Sequence, residues 1–223
     1  MNNKPAGIGP VPPFPVYLFD VDGTLVDSAP DICGAIRDTL NIWGLQEVSE
    51  PYLRSYIGRH LRDLFLDLGF REEQIDPMIV DYRRIYPARD HCFTRLYPGV
   101  KEALESLGGR KSTATTKGTP TTRYVLEKFG LLPHFDHVQG TDGFPAKPEP
   151  DVLLKSIEIL GVCPEDCLLV GDAPTDMEAG RRAGVKVCAV TYGYGLREDL
   201  AQWSPDYWVE DLRELAGARL MPS

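Results

Sequence analysis

The sequence lacks three features that would place it in other broad classes of protein. No apolar run approaches the ~18 to 20 residues of a membrane-spanning helix, and the leading MNNKPAGIGPVPPFP lacks a signal-peptide core. Basic residues are in the minority, because 24 Lys and Arg face 33 Asp and Glu, and the formal charge of -9 argues against a nucleic-acid partner. We therefore expect a cytoplasmic protein with no membrane or nucleic-acid partner.

Cysteine is also scarce and shows no metal-binding spacing. The five cysteines include no CxxC pair, and no second pair of Cys or His follows Cys163 and Cys167 to complete a zinc site. Reduced core thiols are the preferred interpretation.

The 223 residues, 43% of them hydrophobic, suit a core domain with an insertion. Residues 1–15 are rich in Pro and Gly and are predicted to be a disordered or extended tail. Beyond them, apolar runs alternate with helical patterns. The runs interpreted as strands are VYLFD (16–20), TATT (113–116), DHVQG (136–140), CLLVG (167–171) and VKVCAV (185–190). The helical patterns between them run from Pro98 to Gly108, Thr119 to Gly130, Glu149 to Gly161 and Pro174 to Gly184.

This alternation predicts an α/β fold, a Rossmann-like three-layer core with a parallel sheet and ligands beyond the carboxyl ends of its strands. A long interval between the first two strands predicts an inserted, all-helical cap at residues 28–97, with hinges near Asp27 and Pro98. Residues 16–27 and 98–223 then form the catalytic core. The predicted cap helices are Ser28 to Trp43, Ser49 to Ile57, His60 to Leu68, and Glu72 to about Tyr86.

Two carboxylates follow the first strand in FDVDGTLVDS, at Asp20 and Asp22. Asp-Gly is typical of a β-hairpin turn, but no returning strand follows, and a calcium loop would need Gly at the position of Leu25. A hairpin or solvated turn stays open as an alternative, and a catalytic loop is the favoured interpretation. There, Asp20 would attack a phosphoryl phosphorus, and Asp22 would serve as general acid and then general base.

Further charged and hydroxyl groups fall at other strand ends. Asp172 and Asp176 follow the strand 167–171, although either Asp172 or Thr175 is also a plausible helix N-cap. Thr115 ends another predicted strand and Lys147 lies in the proline-rich loop PAKPEP, where each residue alone is more typical of ordinary structure. A phosphate dianion beside several carboxylates needs a cation, since like charges ~4 Å apart repel by about 4 kcal/mol at an effective dielectric near 20. Mg²⁺ suits such oxygen ligands.

In order, DVDGT, ATTK, AKPEP and GDAPTD resemble the four motifs of the haloacid dehalogenase superfamily, in the branch with a helical cap after the first motif. The resemblance implies Asp20 as nucleophile, Asp22 as general acid and base, Thr115 as a phosphate-binding hydroxyl and Lys147 as the phosphate-neutralising cation. It also implies that Mg²⁺ binds the carboxylates of Asp20 and Asp172 and the main-chain carbonyl of Asp22. Asp176 would lie in the second shell or orient Lys147.

Within that branch, TLVDSAPDI and DHCFTRLYPGV look most like phosphoglycolate phosphatases, which implies a small phosphorylated metabolite as substrate. The family's usual Asn after the motif II Thr is here Thr116, which stays a candidate phosphate-binding residue. Arg59, in a Gly-containing turn of the cap, is a candidate partner for a substrate carboxylate, with a solvated surface arginine as the alternative. A sugar-phosphate phosphatase, a phosphomutase and a non-catalytic binding protein remain rival hypotheses, and the oligomeric state is open.

Overall fold

The structure is a computed structural model that describes residues 10–45 and 47–216, in which strands and helices alternate. The strands are β1 (Val16–Phe19), β2 (Val26–Asp27), β3 (Arg95–Leu96), β4 (Arg110–Thr113), β5 (Cys167–Gly171), β6 (Lys186–Val190) and β7 (Tyr207–Val209). The α-helices are α1 (Ala29–Ile42), α2 (Glu50–Arg54), α3 (Leu61–Asp67), α4 (Glu72–Ala88), α5 (Val100–Ser106), α6 (Thr119–Lys128), α7 (Asp151–Leu160), α8 (Pro174–Ala183) and α9 (Arg197–Ala201). Within the described ranges, no helix has the length and apolar character that crossing a bilayer requires.

The main sheet is parallel, with the strand order β4-β1-β5-β6-β7. Alternate residues of β1 enter the cores on its two faces, because successive side chains of a strand point in opposite directions. Tyr17 and Phe19 pack with residues of α5 and α6, whereas Val16 and Leu18 pack with residues of α7 and α8. The prediction of an α/β fold with helices on both faces of a parallel sheet is confirmed.

Two of the predicted strands are wrong in position or kind. A strand was expected at TATT (113–116), but β4 lies earlier, at Arg110–Thr113. Its residues are mostly polar, so the apolar pattern did not indicate where it begins. DHVQG makes only a bridge between His137 and Ser112. Beyond that bridge, the Thr113 side chain holds this segment in place of main-chain hydrogen bonds between strands. Its Oγ1 donates to the carbonyl of Gln139 at 2.9 Å and accepts from the Gln139 amide at 2.8 Å.

The sheet also has an edge strand, β7, that was not predicted from the sequence. This strand has three residues, which are too few for a recognisable alternation of apolar and polar side chains. Asp206 anchors this strand: its carboxylate accepts from the Val187 amide (3.0 Å), Arg181 Nη1 (2.9 Å) and Lys186 Nζ (3.0 Å). These contacts connect β7 to β6 and α8.

Asp206→Asn should lower the free energy of unfolding by about 1 kcal/mol at pH 7, a value discounted for the partial exposure of the ion pairs. Burial by itself raises the pKa of Asp206, but the Val187 amide and the two cations lower the pKa below its ordinary value. A lowered pKa contributes stability above the unfolded pKa of about 3.9 and loses it as the pH falls further. Urea unfolding should show a constant difference between variant and wild type from pH 7 to 5, and a smaller one below about pH 4. A difference that does not depend on pH would contradict the proposed cause.

The helices between β2 and β3 form a second hydrophobic core of their own. Side chains from α1, α3 and α4, among them Ile36, Leu64, Phe65 and Ile75, are buried in it. β2 and β3 pair antiparallel, with Asp27 opposite Arg95, so the chain enters and leaves this helical segment at one place. The predicted hinges near Asp27 and Pro98 lie beside that pair, and a cap at residues 28–97 with hinges there stays our proposal.

The leading residues are only partly described. Residues 1–9 of the predicted tail lie outside the described residues. From Pro10 to Phe14 the chain has no regular secondary structure, yet Val11 is buried against the core and the Phe14 amide donates to the Tyr17 hydroxyl at 3.0 Å.

Candidate active site

Aspartates from two neighbouring strands meet at the carboxyl edge of the sheet. Asp20 directly follows β1 and Asp172 directly follows β5, the strand that pairs with β1. The Asp20 amide extends this pairing by donating to the Val170 carbonyl at 2.9 Å. Parallel strands bring their carboxyl ends to one edge, which is why motifs far apart in sequence lie together.

A third aspartate and a lysine complete this group. Carboxylate oxygens of Asp20, Asp172 and Asp176 all lie within 4.8 Å of one another, and all three residues are buried. Lys147 is 2% exposed, and its Nζ donates to Asp20 Oδ1 at 2.8 Å and to Asp176 Oδ1 at 2.5 Å. Asp176 also accepts from the Ala173 amide at the start of α8, at 3.0 Å.

The Asp172 carboxylate accepts hydrogen bonds from two loops, one after β1 and one after β6, and a glycine in each loop lets it approach closely. Its Oδ1 accepts from Thr24 Oγ1 and its Oδ2 from the Tyr194 amide, each at 2.8 Å. Gly23 has φ +93°, and a Cβ there would lie 2.2 Å from Asp172 Oδ2; a Cβ on Gly193 would lie 2.2 Å from the Asp172 Cβ. Glycine at both positions is what permits the close approach. Thr24 and Tyr194 were not singled out from the sequence.

The ionisation of the group reflects its burial. Desolvation, opposed by Lys147 and assisted by Asp176, raises the pKa of Asp20 to about 6. Burial, with the neighbouring Asp20 and Asp176, raises the pKa of Asp172 well above its ordinary value. Burial alone would lower the pKa of Lys147, but Asp176 and Asp20 raise it above the ordinary lysine value.

The donor set fits a hard divalent cation. Three carboxylates face the single ammonium of Lys147 in the group, so two negative charges lack a local counter-charge when all three ionise. Oxygen-only ligands of this kind suit Mg²⁺. Asp20 and Asp172 were predicted as carboxylate ligands, and Asp176, predicted for the second shell or for orienting Lys147, bonds to Lys147 and also lies within the carboxylate group.

Asp22 lies outside that carboxylate group and has its own partners. Its Oδ1 accepts from Ser28 Oγ at 2.5 Å, and its Oδ2 lies 3.1 Å from Lys117 Nζ. Lys117 Nζ also donates to the Tyr86 hydroxyl at 2.6 Å. Neither Lys117 nor Tyr86 was predicted as a site residue. Tyr86 lies in no recognisable motif, and the one signal for Lys117 is that it directly follows Thr115 and Thr116.

A cavity of about 740 Å³ opens beside these groups, between the core and the helical segment. Of the predicted residues, Asp20, Asp22, Thr116 and Arg59 line it. One wall is apolar and aromatic, formed by Ile32, Ile36, Ile79, Tyr82 and Tyr86. Basic side chains also line it, namely Arg59, His60, Arg62 and Arg83 from the helical segment and Lys117 from the core. The cavity is therefore lined by apolar surface, by the carboxylates of Asp20 and Asp22, and by basic side chains, of which Arg62 is paired with Glu72 and Lys117 with Asp22.

Thr115 was expected at the end of a strand. It lies two residues beyond the end of β4, is fully buried, and its Oγ1 accepts from the Lys117 amide at 3.3 Å. Arg59 is exposed, with its guanidinium 5.5 Å from the centroid of the Tyr56 ring. The five cysteines are free, and Cys33, Cys167 and Cys188 are buried, whereas Cys92 and Cys163 are exposed.

Comparison with known proteins identifies the family. The family of haloacid dehalogenase-like hydrolases matches over residues 17–190, which is most of the chain. This protein belongs to that family. The resemblance expected from the four motifs is confirmed, and so is the hydrolase class.

Curated relatives of this hydrolase are phosphatases. It is 39% identical over 186 residues to the phosphoglycolate phosphatase of Aquifex aeolicus, covering 80% of this chain and 85% of the relative. It is 33% identical over 212 residues to phosphoglycolate phosphatase 1 of Pseudomonas aeruginosa, covering 90% and 78% of the two chains. These relatives confirm the expectation of an enzyme of the phosphoric monoester hydrolase class.

Solved structures agree with the fold. A haloacid dehalogenase-like family hydrolase from Streptococcus pneumoniae superposes with a TM-score of 0.85 at 28% identity, over 92% of this chain and 97% of that one. A predicted phosphoglycolate phosphatase from Haemophilus somnus superposes with a TM-score of 0.82 at 30% identity, over 92% and 97%. The hydrolase therefore shares its fold with these two proteins over nearly their whole length.

Proposed function

We propose that this hydrolase is a magnesium-dependent phosphatase that cleaves 2-phosphoglycolate through an aspartyl phosphate on Asp20. The observation that carries the proposal is the position of Asp20: its carboxylate is held by Lys147 beside a cavity that Asp22 also lines. A nucleophile and a proton donor are thereby available to the same bound ester.

The proposed reaction has two displacements at phosphorus. In the first, an oxygen of Asp20 bonds to phosphorus, the ester P–O bond breaks, and Asp22 gives its proton to the departing alcohol oxygen. In the second, Asp22 takes a proton from water, the water oxygen bonds to phosphorus, and the bond to Asp20 breaks. Inorganic phosphate leaves, and Asp22 is again protonated. No external oxidant or co-reactant is required.

Other residues neutralise and orient the phosphoryl group. We assign Lys147, Thr115 and Thr116 to its oxygens, as the family resemblance implies, with Asp176 holding Lys147 in place. Mg²⁺ would be held by the carboxylates of Asp20 and Asp172 and the carbonyl of Asp22, and would offset negative charge on the phosphoryl oxygens. Asp172 has both oxygens engaged by fixed donors, which orients it before any ligand arrives.

The substrate assignment rests on the cavity and on the relatives. Both named relatives are phosphoglycolate phosphatases, and the cavity carries several basic side chains although the whole chain has a net charge of -9. A substrate with a second anionic group, such as the carboxylate of 2-phosphoglycolate, suits the arginines that the helical segment contributes to the cavity lining, among them Arg59 and Arg83.

Arg59→Ala should raise the KM for 2-phosphoglycolate by roughly 10-fold or more while changing kcat little, because a charged hydrogen bond to the carboxylate is lost. The KM for p-nitrophenyl phosphate, which has no carboxylate, should stay within about 2-fold of the wild-type value. Arg84→Ala is a matched control, since Arg84 is an exposed cap residue paired with Asp81. An unchanged KM for the best substrate would remove Arg59 from the site.

The function is tested by phosphate release from a panel of esters, with and without magnesium. The panel contains 2-phosphoglycolate, hexose phosphates, a nucleotide and pyrophosphate. We expect the highest kcat/KM for 2-phosphoglycolate and loss of turnover in EDTA. Preference for a hexose phosphate would move the assignment to a sugar-phosphate phosphatase, and activation by a bisphosphate with little phosphate release would indicate a phosphomutase. No turnover of any ester would reject a phosphatase.

A further inference from the structure

A lysine that the motif roles leave unassigned contacts the proposed general acid. Lys117 lies in the loop between β4 and α6, and its side chain is only 7% exposed. Its Nζ lies 3.1 Å from Asp22 Oδ2 and donates to the Tyr86 hydroxyl at 2.6 Å. This ammonium therefore joins a core carboxylate to a cap side chain.

The contact fixes which way the Asp22 carboxylate faces. Ser28 Oγ donates to Oδ1 at 2.5 Å and Lys117 approaches Oδ2, so both oxygens have a partner on a different part of the chain. Rotation of the carboxyl group would break at least one of these charge-assisted contacts. The side chain is thus oriented before a substrate enters the cavity.

Tyr86 is the second contact of the Lys117 ammonium. Tyr86 is buried in the last turns of α4, and the Lys117 ammonium lies 4.4 Å from the centroid of its ring. The ring stacks on Tyr82 at a centroid distance of 5.5 Å and is nearly perpendicular to the His91 ring, with the centroids 5.1 Å apart. These contacts leave the hydroxyl little freedom, so its position relative to Lys117 is set by cap packing.

We propose that Lys117 is a positioning residue that aims the Asp22 carboxyl group at the ester oxygen, and that Tyr86 positions Lys117. The inference rests on the proposed phosphatase function. Lys117 forms no bond to the reacting atoms. Its contribution is made wherever Asp22 moves a proton: to the departing alcohol in the first displacement, and from water in the second.

This role predicts a dependence on the leaving group. An alkoxide leaves only with a proton, whereas p-nitrophenolate leaves without one, so only the first needs a well-aimed Asp22 when the P–O bond breaks. The quantity to compare is kcat/KM, which covers the steps up to loss of the leaving group. Benzyl phosphate and p-nitrophenyl phosphate form a matched pair, because neither has a second anionic group.

Lys117→Met should reduce kcat/KM for benzyl phosphate and 2-phosphoglycolate by about 10- to 100-fold, and for p-nitrophenyl phosphate by less than about 3-fold. Water activation is also impaired, so p-nitrophenyl phosphate should give a burst of about one nitrophenolate per enzyme molecule before a slow steady state. Tyr86→Phe should show the same pattern more weakly, and Lys117→Arg should recover part of the loss. Lys155→Met, at a surface lysine paired with Glu158, should match wild type.

Three results would overturn the inference. Equal losses on all three esters would indicate a structural role, which thermal unfolding of each variant would check separately. A loss confined to 2-phosphoglycolate would mean that Lys117 binds the substrate carboxylate instead. Wild-type protein that hydrolyses none of the esters would reject the phosphatase proposal, and the positioning role with it.

Discussion

Asp20→Asn should lower phosphate release from 2-phosphoglycolate by on the order of 10⁴-fold or more, with the protein still folded. The amide has nearly the shape of the carboxylate but cannot form an aspartyl phosphate. Lys147 would keep Asp176 as a partner at 2.5 Å, so no buried cation is left without an anion. The measurement is steady-state phosphate release with magnesium, beside thermal unfolding of the same preparation.

Two further observations make this result specific to Asp20. Peptide mass spectrometry of acid-quenched wild type should find phosphate on the peptide that contains Asp20, and find none in the variant. Asp76→Asn, at an exposed aspartate of α4, is the matched control and should retain full activity. A variant that keeps more than about one percent of wild-type turnover would exclude Asp20 as the nucleophile.

Lys147→Met should have the largest effect on stability, lowering the free energy of unfolding by about 3 to 5 kcal/mol at pH 7 without divalent cation. Removing the ammonium leaves Asp20, Asp172 and Asp176 close together and buried with no counter-charge among them. The cost arises from the uncompensated carboxylates, since methionine fills a similar volume. Urea unfolding in EDTA measures it.

The pH dependence of this loss identifies its cause. Burial already raises the pKa of Asp20 to about 6 and that of Asp172 well above its ordinary value, and loss of Lys147 raises the pKa of Asp20 further. Groups with a raised folded pKa take up protons as the pH falls, which relieves the repulsion and favours the folded state. The difference between variant and wild type should therefore shrink from pH 8 to pH 5.

Magnesium should also reduce the repulsion among the carboxylates of Asp20, Asp172 and Asp176. Because a divalent cation compensates the carboxylates in either protein, saturating Mg²⁺ should raise the stability of Lys147→Met by more than that of wild type. Lys155→Met should be within about 0.5 kcal/mol of wild type under every condition. A loss that neither pH nor magnesium changes would indicate a packing defect.

Much of the fold was readable because the sheet is buried on both faces. VYLFD and CLLVG are continuous apolar runs, and the structure has strands at Val16–Phe19 and Cys167–Gly171. β4 was misplaced because its polar residues Arg110, Lys111 and Ser112 do not resemble a buried strand, yet Lys111 is 7% exposed and Ser112 is fully buried. Neighbouring strands, and not local propensity, determine that segment.

The sequence by itself determined the alternation of strands and helices and the positions of Asp20 and Asp172 directly after two strands. In a parallel sheet that topology alone brings such residues to one edge, because every strand ends on the same side. Only the tertiary structure decided which side chains join them. Contacts such as Lys117 with Asp22 and Tyr86, or Tyr194 with Asp172, connect segments far apart in the chain. They depend on how the helical segment between β2 and β3 and the loops pack, which no short-range pattern encodes.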